Sequence, residues 1–319
     1  MDTAMQRPRL AVLVALILTT LFLAPRVTNA ASPETHSPLF KPWINGVSVA
    51  EPQMQIQRYD DDTYVIRQSL RTNFEGPFLY VLFGSDRALL IDTGAGGLNV
   101  RPTIDRVVNE WTARHHRKVI PLIVAHSHSH GDHRQGDAEL QDRPHTTIIG
   151  LYPKDVADFF GIADWPNQIV SYDLGGRALD IIPTPGHQSA HIMIFDRRTR
   201  LLFSGDSLGP YRLYIPMNEA KTYRDSIDRV AAFTSDKHVS WILGAHIEMT
   251  RKPGELIPEE APTHPDEHVL EISYANLPEL KGALHAMDDQ LVEESHRDFV
   301  IFPKPAGEQQ PFAPPAKQP

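Results

Sequence analysis

The stretch Val119-Ile120-Pro121-Leu122-Ile123-Val124-Ala125-His126-Ser127-His128-Ser129-His130-Gly131-Asp132-His133 decides the fold. Its first six residues read as a buried strand. The remainder is a loop with four histidines and a carboxylate within eight residues. A solvated loop seldom has that composition. Imidazole nitrogen and carboxylate oxygen are the ligands zinc accepts when no cysteine is available, and this chain has none. In extended backbone, positions i and i+2 face the same side. His128 and His130 can therefore reach one ion, while Asp132 and His133 can reach a second.

Further candidates follow other apolar runs. His187 stands in Thr184-Pro185-Gly186-His187, after Leu179-Asp180-Ile181-Ile182. Asp206 stands in Ser204-Gly205-Asp206, after Leu201-Leu202-Phe203, and His246 in Leu243-Gly244-Ala245-His246, after Val239-Ser240-Trp241-Ile242. Each sits beside a Gly or Pro that turns the chain, on a loop at a sheet edge, where α/β folds place their chemistry. Singly they read as packed histidines and a turn aspartate. Together, in this order, they read as ligands of one site. His126 lies outside the spacing, with a supporting or packing role expected. His191 is close to the site without a required role.

The set His128-x-His130-x-Asp132-His133, His187, Asp206 and His246 resembles the metallo-β-lactamase superfamily of metallohydrolases, as does the upstream Ile91-Asp92-Thr93-Gly94. The resemblance runs from about Thr63 to His246. It implies an α/β fold, the αββα sandwich, and two metal ions. His128, His130 and His187 would bind the first, Asp132, His133 and His246 the second, and Asp206 would bridge them. Asp92 would be a buried carboxylate that orients the metal loop. The pattern looks closer to the glyoxalase II and lactonase side than to true β-lactamases, one subgroup of which needs a cysteine ligand. One scaffold of this kind serves many substrates.

Elsewhere the pattern places strands at Met54 to Tyr59, Thr63 to Gln68, Pro77 to Phe83 and Arg87 to Ile91, paired through turn-forming clusters. Ile104, Val107, Val108 and Trp111 recur at helical spacing and predict a helix over about Val100 to Arg114. Asp132 and His133 should open a short helix. Another should run from Pro153 to Phe160, with proline at a first helical position. The second half repeats the logic: strands near Gln168–Tyr172, Leu179–Pro183, His191–Phe195 and Leu201–Phe203, then a helix over about Tyr223 to Phe233. Strands flanked by helices in two similar halves fit a four-layer sandwich.

The expected organisation is a signal peptide over residues 1–30, an N-terminal arm over 31–51 and a catalytic domain over 52–252. A helical extension packed on the domain (253–302) and a disordered tail (303–319) complete it. Arg7 and Arg9 precede the apolar run Leu10 to Ala24, and Thr28-Asn29-Ala30 offers small residues for cleavage. At about 15 residues the run is short of the ~20 that span a bilayer. The expectation is therefore a periplasmic or secreted protein with no stable membrane anchor after cleavage. The formal charge is −9, and the three arginines and one aspartate of the first 30 residues leave −11 for the rest. That balance argues against a nucleic-acid partner, since phosphate contact needs a clustered basic surface. The partner expected is a small-molecule substrate; oligomeric state stays open.

These readings converge on an exported, dinuclear, metal-dependent hydrolase with two zinc ions, or iron or manganese in the same ligands. A metal-bridging hydroxide would attack an ester, thioester or lactone carbonyl, and Asp132 could take up or pass on a proton. Tyr211 and Tyr214 could hydrogen-bond the substrate or simply pack. Arg212 could meet an acidic substrate, and Glu248 could orient His246. The alternatives are β-lactam hydrolysis and a non-catalytic metal-binding or sensing module.

Overall fold

The computed structural model describes Met1, residues 38–288 and residues 290–306. The expected signal peptide past Met1, residues 31–37 of the expected arm and the expected tail from 307 lie outside the described residues. Strands β1 (Met54–Asp60), β2 (Thr63–Gln68), β3 (Phe78–Phe83) and β4 (Ala88–Ile91) pair antiparallel in sequence order. Helix α1 (Arg101–Arg114) crosses to β5 (Leu122–Ala125), which lies parallel to β4. Short helices α2 (Gly131–Arg134) and α3 (Asp137–Leu140) lead to β6 (Thr146–Ile148), which closes a six-stranded sheet ordered β1-β2-β3-β4-β5-β6.

Helix α4 (Pro153–Phe160) leads into the second half. Its strands are β7 (Val170–Asp173), β8 (Ala178–Pro183), β9 (Ile192–Asp196), β10 (Leu201–Gly205) and β11 (Arg212–Pro216). Helix α5 (Ala220–Thr234), β12 (Trp241–Gly244), β13 (Glu271–Ile272), α6 (Asn276–Met287), β14 (Glu294–Ser295) and β15 (Val300–Lys304) follow. The second sheet is ordered β13-β12-β10-β9-β8-β7, and β11, β15 and β14 form a small third sheet.

Period-two alternation explains the layers. Val65, Tyr80, Leu82, Leu89 and Ile91 of the first sheet meet Ile181, Ile194, Leu201 and Phe203 of the second in one buried cluster. Their neighbours Tyr64, Ile66, Val81 and Leu90 face the other way, onto Ile104, Val107, Val108 and Trp111 of α1. Burying each such aliphatic side chain contributes about 1.5–3 kcal/mol. On the far side Ile182, Met193, Phe195 and Leu202 pack against Tyr223, Ile227 and Val230 of α5 and Leu277 and Leu280 of α6. The order is helix, sheet, sheet, helices. Phe40 and Trp43 of the arm are buried in the inter-sheet core.

One end of the sandwich is closed by a buried cation. Arg177, between β7 and β8, donates to Asp196 Oδ2 at 2.6 Å, to Thr63 Oγ1 at 2.7 Å, and to the carbonyls of Asp62 and Phe83 at 2.7 and 3.1 Å. It thereby sews the second sheet to the first.

Three expectations are corrected. The strand before the histidine loop starts at Leu122, not Val119: Pro121 has no N–H to give a ladder, and Val119 is exposed. The segment 253–302 is only partly helical; beside α6 it supplies β13 to the second sheet and β14 and the first residues of β15 to the third. The tail does not begin at Pro303, because Pro303 and Lys304 are the last residues of β15, paired with Ile215 and Pro216 of β11. Pro303 is tolerated there because β14 pairs only with Val300 and Ile301.

Candidate metal centre

Strands β8, β10 and β12 run in one direction, as do β4 and β5, so their carboxyl ends collect the sequence-predicted residues. Asp92 follows β4 with φ of 67°, a left-handed backbone that aspartate tolerates better than most residues. Its Oδ1 accepts the Ser127 N–H at 2.7 Å, its Oδ2 accepts the Ser127 hydroxyl at 2.9 Å, and Oδ2 lies 2.9 Å from His133 Nδ1. One carboxylate thus fixes both the loop backbone and a histidine ring. His187 is reached through Gly186 at φ 135°, where a Cβ would stand 2.4 Å from Tyr223 Cα. Only glycine lets that loop lie against α5. The backbone before His246 is held from the first sheet: Phe78 N–H donates to the Ala245 carbonyl at 2.8 Å, and the Tyr80 hydroxyl to that of Gly244.

All seven predicted ligands come together, in two groups. His128, His130 and His187 form one; Asp132, His133, Asp206 and His246 form the other; within each, one ligand atom per residue lies within 4.8 Å of the rest. Asp206 touches both. Its Oδ2 is 3.7 Å from His128 Nε2, 3.6 Å from His187 Nε2 and 3.4 Å from His133 Nε2, while its Oδ1 is 3.5 Å from His246 Nε2. Asp132 Oδ2 lies 3.0 Å from His133 Nε2 and 3.3 Å from His246 Nε2.

The outer nitrogens show what the inner ones must do. His133 Nδ1 faces Asp92, His187 Nδ1 faces the Tyr214 carbonyl at 2.8 Å, and His246 Nδ1 faces the Glu75 carbonyl at 2.9 Å. Each partner is an acceptor, so each Nδ1 carries the hydrogen, and the ring in its neutral form offers a lone pair at Nε2. The inner nitrogens converge: His133 Nε2 lies 3.4 Å from His246 Nε2, and His187 Nε2 3.1 Å from His130 Nδ1. Asp206 Oδ1 is buried with no hydrogen-bond partner among the described residues. Acceptors aimed at acceptors repel unless a cation or protons lie between them. The donor set therefore fits divalent metal ions that take imidazole and carboxylate.

Electrostatics separates the two groups. Burial, helped by neighbouring imidazoles, pushes His128 well down and His130 to about 4, and burial also lowers His187. These rings are neutral donors. In the other group burial opposes charge on His133 and His246, yet Asp132 and Asp206 outweigh it, raising His133 strongly and His246 to about 10. Burial likewise works against the carboxylates, and His133 overcomes it, holding Asp132 and Asp206 below the usual carboxylate range.

A cleft of about 650 Å³ opens over His130, Asp132, His187, Asp206 and His246. Tyr211 is buried in its floor, and its hydroxyl donates to the Gly205 carbonyl at 2.5 Å. Tyr214 is half-buried in the wall, and its hydroxyl donates to Glu259 at 3.0 Å. Arg212 is buried and committed, with Nη2 donating to the Ile257 carbonyl at 2.7 Å and its backbone N–H to Glu248 Oε2 at 3.0 Å. Glu248 thus holds Arg212 rather than His246. His126 leaves the centre and pairs with Asp137 at 2.9 Å. His191 is buried beside the centre, bonded to Thr184 Oγ1 at 2.7 Å and facing the Asp206 N–H at 3.3 Å. Sequence reading missed Ser127 and the carbonyls of Glu75 and Tyr214. The first had a signal in its place between histidines; the carbonyls had none.

Residues 73–239 match the family model described as the metallo-beta-lactamase superfamily. Among curated proteins, a hydroxyacylglutathione hydrolase of Rhizobium meliloti (strain 1021) is 31% identical over 163 residues, covering 48% of this chain and 59% of that protein. One of Xanthomonas euvesicatoria pv. vesicatoria (strain 85-10) is 29% identical over 175 residues, covering 51% and 59%. The match spans 59% of each of these two relatives. Among solved structures, a metallo-beta-lactamase from Pontibacter korlensis aligns with a TM-score of 0.49 at 14% identity, over 73% of this chain and 99% of that one.

Proposed function

Because this chain belongs to the metallo-beta-lactamase superfamily, we propose that it is a metal-dependent hydrolase that holds two zinc ions and cleaves an ester, thioester or lactone. His128, His130 and His187 would hold one ion, Asp132, His133 and His246 the other, and Asp206 both. The observation that carries this reading is the position of Asp206, whose two oxygens face the two groups, one of them without a hydrogen-bond partner among the described residues. Bound there, the ions would supply a water of lowered pKa as nucleophile and polarise the carbonyl. Asp132 lies at the cleft floor, where its carboxylate can take up a proton as the bond breaks. Asp92, Tyr214 and Glu75 keep the rings of His133, His187 and His246 in the tautomer that offers Nε2. The name of the two relatives, hydroxyacylglutathione hydrolase, supports the thioester member of the substrate class. We propose export as well, on the leader-like residues 1–30; among the described residues no helix is long and apolar enough to cross a membrane.

The test is a panel of lactone, thioester, aryl ester, β-lactam and phosphodiester, assayed on zinc-loaded and chelated protein. Turnover of one carbonyl class, lost on chelation and restored by zinc, is the expected result. No turnover of any member by the zinc-loaded protein overturns the hydrolase reading and favours a binding module; turnover of the β-lactam alone overturns the substrate class.

A further inference from the structure

Asp206 owes its place to the peptide group that precedes it, and both poles of that group are held by buried side chains. The N–H pole meets His191, which is fully buried. The Asp206 N–H lies 3.3 Å from His191 Nε2, and the Ser207 hydroxyl reaches the same nitrogen at 3.2 Å. A backbone N–H can only donate, so Nε2 accepts, and the neutral ring carries its hydrogen on Nδ1. Nδ1 in turn donates to Thr184 Oγ1 at 2.7 Å, and the Thr184 N–H returns a bond to the His191 carbonyl at 2.8 Å. The ring stands beside those of His128 and His187, at 5.4 and 6.1 Å between centroids. Yet it belongs to neither ligand group, and its accepting nitrogen is turned to the Asp206 backbone.

The other pole is the Gly205 carbonyl, which accepts the Ala245 N–H at 3.0 Å and the Tyr211 hydroxyl at 2.5 Å. Tyr211 lies in a slot that two glycines leave open: a Cβ at Gly209 would stand 2.2 Å from its Cε1, and one at Gly244 2.6 Å. Gly205 has φ of 52°, and a Cβ there would stand 2.7 Å from His191 Nε2, so only glycine brings this peptide so close to the ring. A ligand shared by two ions must keep one oxygen on each, and a peptide free to turn ahead of it would spread those oxygens over positions that suit neither. We propose that His191 and Tyr211 are positioning residues that clamp the Gly205–Asp206 peptide and so set where the Asp206 carboxylate stands. This rests on the reading of Asp206 as the shared metal ligand. It also assigns Tyr211 away from substrate, since its one hydroxyl hydrogen is given to Gly205.

The experiment measures zinc affinity, by titration against a chromophoric chelator, on full-length wild type, Tyr211→Phe, His191→Leu, His191→Gln and the double variant of the first two. Tyr211→Phe and His191→Leu should each weaken zinc binding about tenfold. His191→Gln, whose side-chain oxygen can accept the same N–H, should recover most of that loss. Because both residues act on one peptide group, the double variant should bind little worse than the weaker single variant. In any ester that is turned over, kcat should fall with KM little changed, since no substrate contact is removed. Unchanged zinc affinity in Tyr211→Phe and His191→Leu, no recovery in His191→Gln, or losses that simply multiply, overturns the proposal. If His191→Leu does not fold, Tyr211→Phe, which keeps the ring in its slot, decides alone. Zinc affinities in the expected pattern without turnover of any ester uphold the clamp and overturn the hydrolase reading alone; a wild type that takes up no zinc overturns both.

Discussion

The two ends of the sandwich bury charge in opposite ways. At one end Arg177 meets acceptors only: a carboxylate, a hydroxyl and two carbonyls, all within 3.1 Å. At the other, imidazole nitrogens and carboxylates face one another, and one carboxylate oxygen has no hydrogen-bond partner among the described residues. Each end has side chains at 1% exposure or less, Arg177 and Asp196 at one and His128 and His133 at the other. Depth therefore does not distinguish them; complementarity does. A buried charge surrounded by its complement holds a fold together. A cluster of imidazoles and carboxylates crowded on one another is stabilised only by protons or cations added between them, and marks where the molecule binds rather than where it merely coheres.

The sharpest way to break this contrast is to remove the shared carboxylate. Asp206→Ala should lower hydrolysis on the order of a thousandfold, because charge stabilisation at the reacting centre is lost, and should also lower bound metal. Normal metal content and rate in this variant, measured by elemental analysis and steady-state kinetics, would sink the bridging assignment. The opposite end should respond in the opposite sense. Arg177→Ala strands Asp196 as an uncompensated buried charge and should cost about 3–5 kcal/mol of stability, read by denaturant unfolding. The folded fraction should still bind metal at the wild-type ratio. A loss of metal binding there, at unchanged stability, would mean the two ends are not separate.

The metal end was the more legible in the sequence, for a physical reason. Four of its seven candidate ligands fall within His128 to His133, and extended backbone alone brings alternate ones together. His187, Asp206 and His246 each close a strand, and a strand end can be read from an apolar run and a turn residue. The layers were legible for the same reason, since period-two and helical spacing choose the buried faces. What escaped depends on contacts distant in sequence. The Glu75 carbonyl that orients His246 is 171 residues away from it, and nothing in a residue's type reveals that its backbone carbonyl is used as an acceptor. The third sheet escaped because β15 contains proline and lysine and earns its strand conformation only from pairing with β11, some ninety positions earlier. Arg212 reads as a candidate substrate contact from its neighbours, and only the fold shows Glu248 and Ile257 taking it up.

The two ligand groups give the finest version of the contrast, and the most direct test of two distinct metal sites. With no metal bound, His246 is held at about 10 and His133 is also raised. Its protonated form adds stability to the metal-free fold below pH about 6.5, a contribution lost as the pH climbs through about 10. Any ion entering this group must displace those protons, so its affinity falls roughly tenfold per pH unit for each proton displaced. In the other group His130 stays neutral down to about 4, and acidification to pH 5 leaves its donors free. The measurement is bound zinc per chain, by elemental analysis after equilibration between pH 8 and pH 5. Two ions per chain at the alkaline end, with one lost well before the other, is the result predicted. A stoichiometry that never exceeds one, or two ions that leave together, would contradict it.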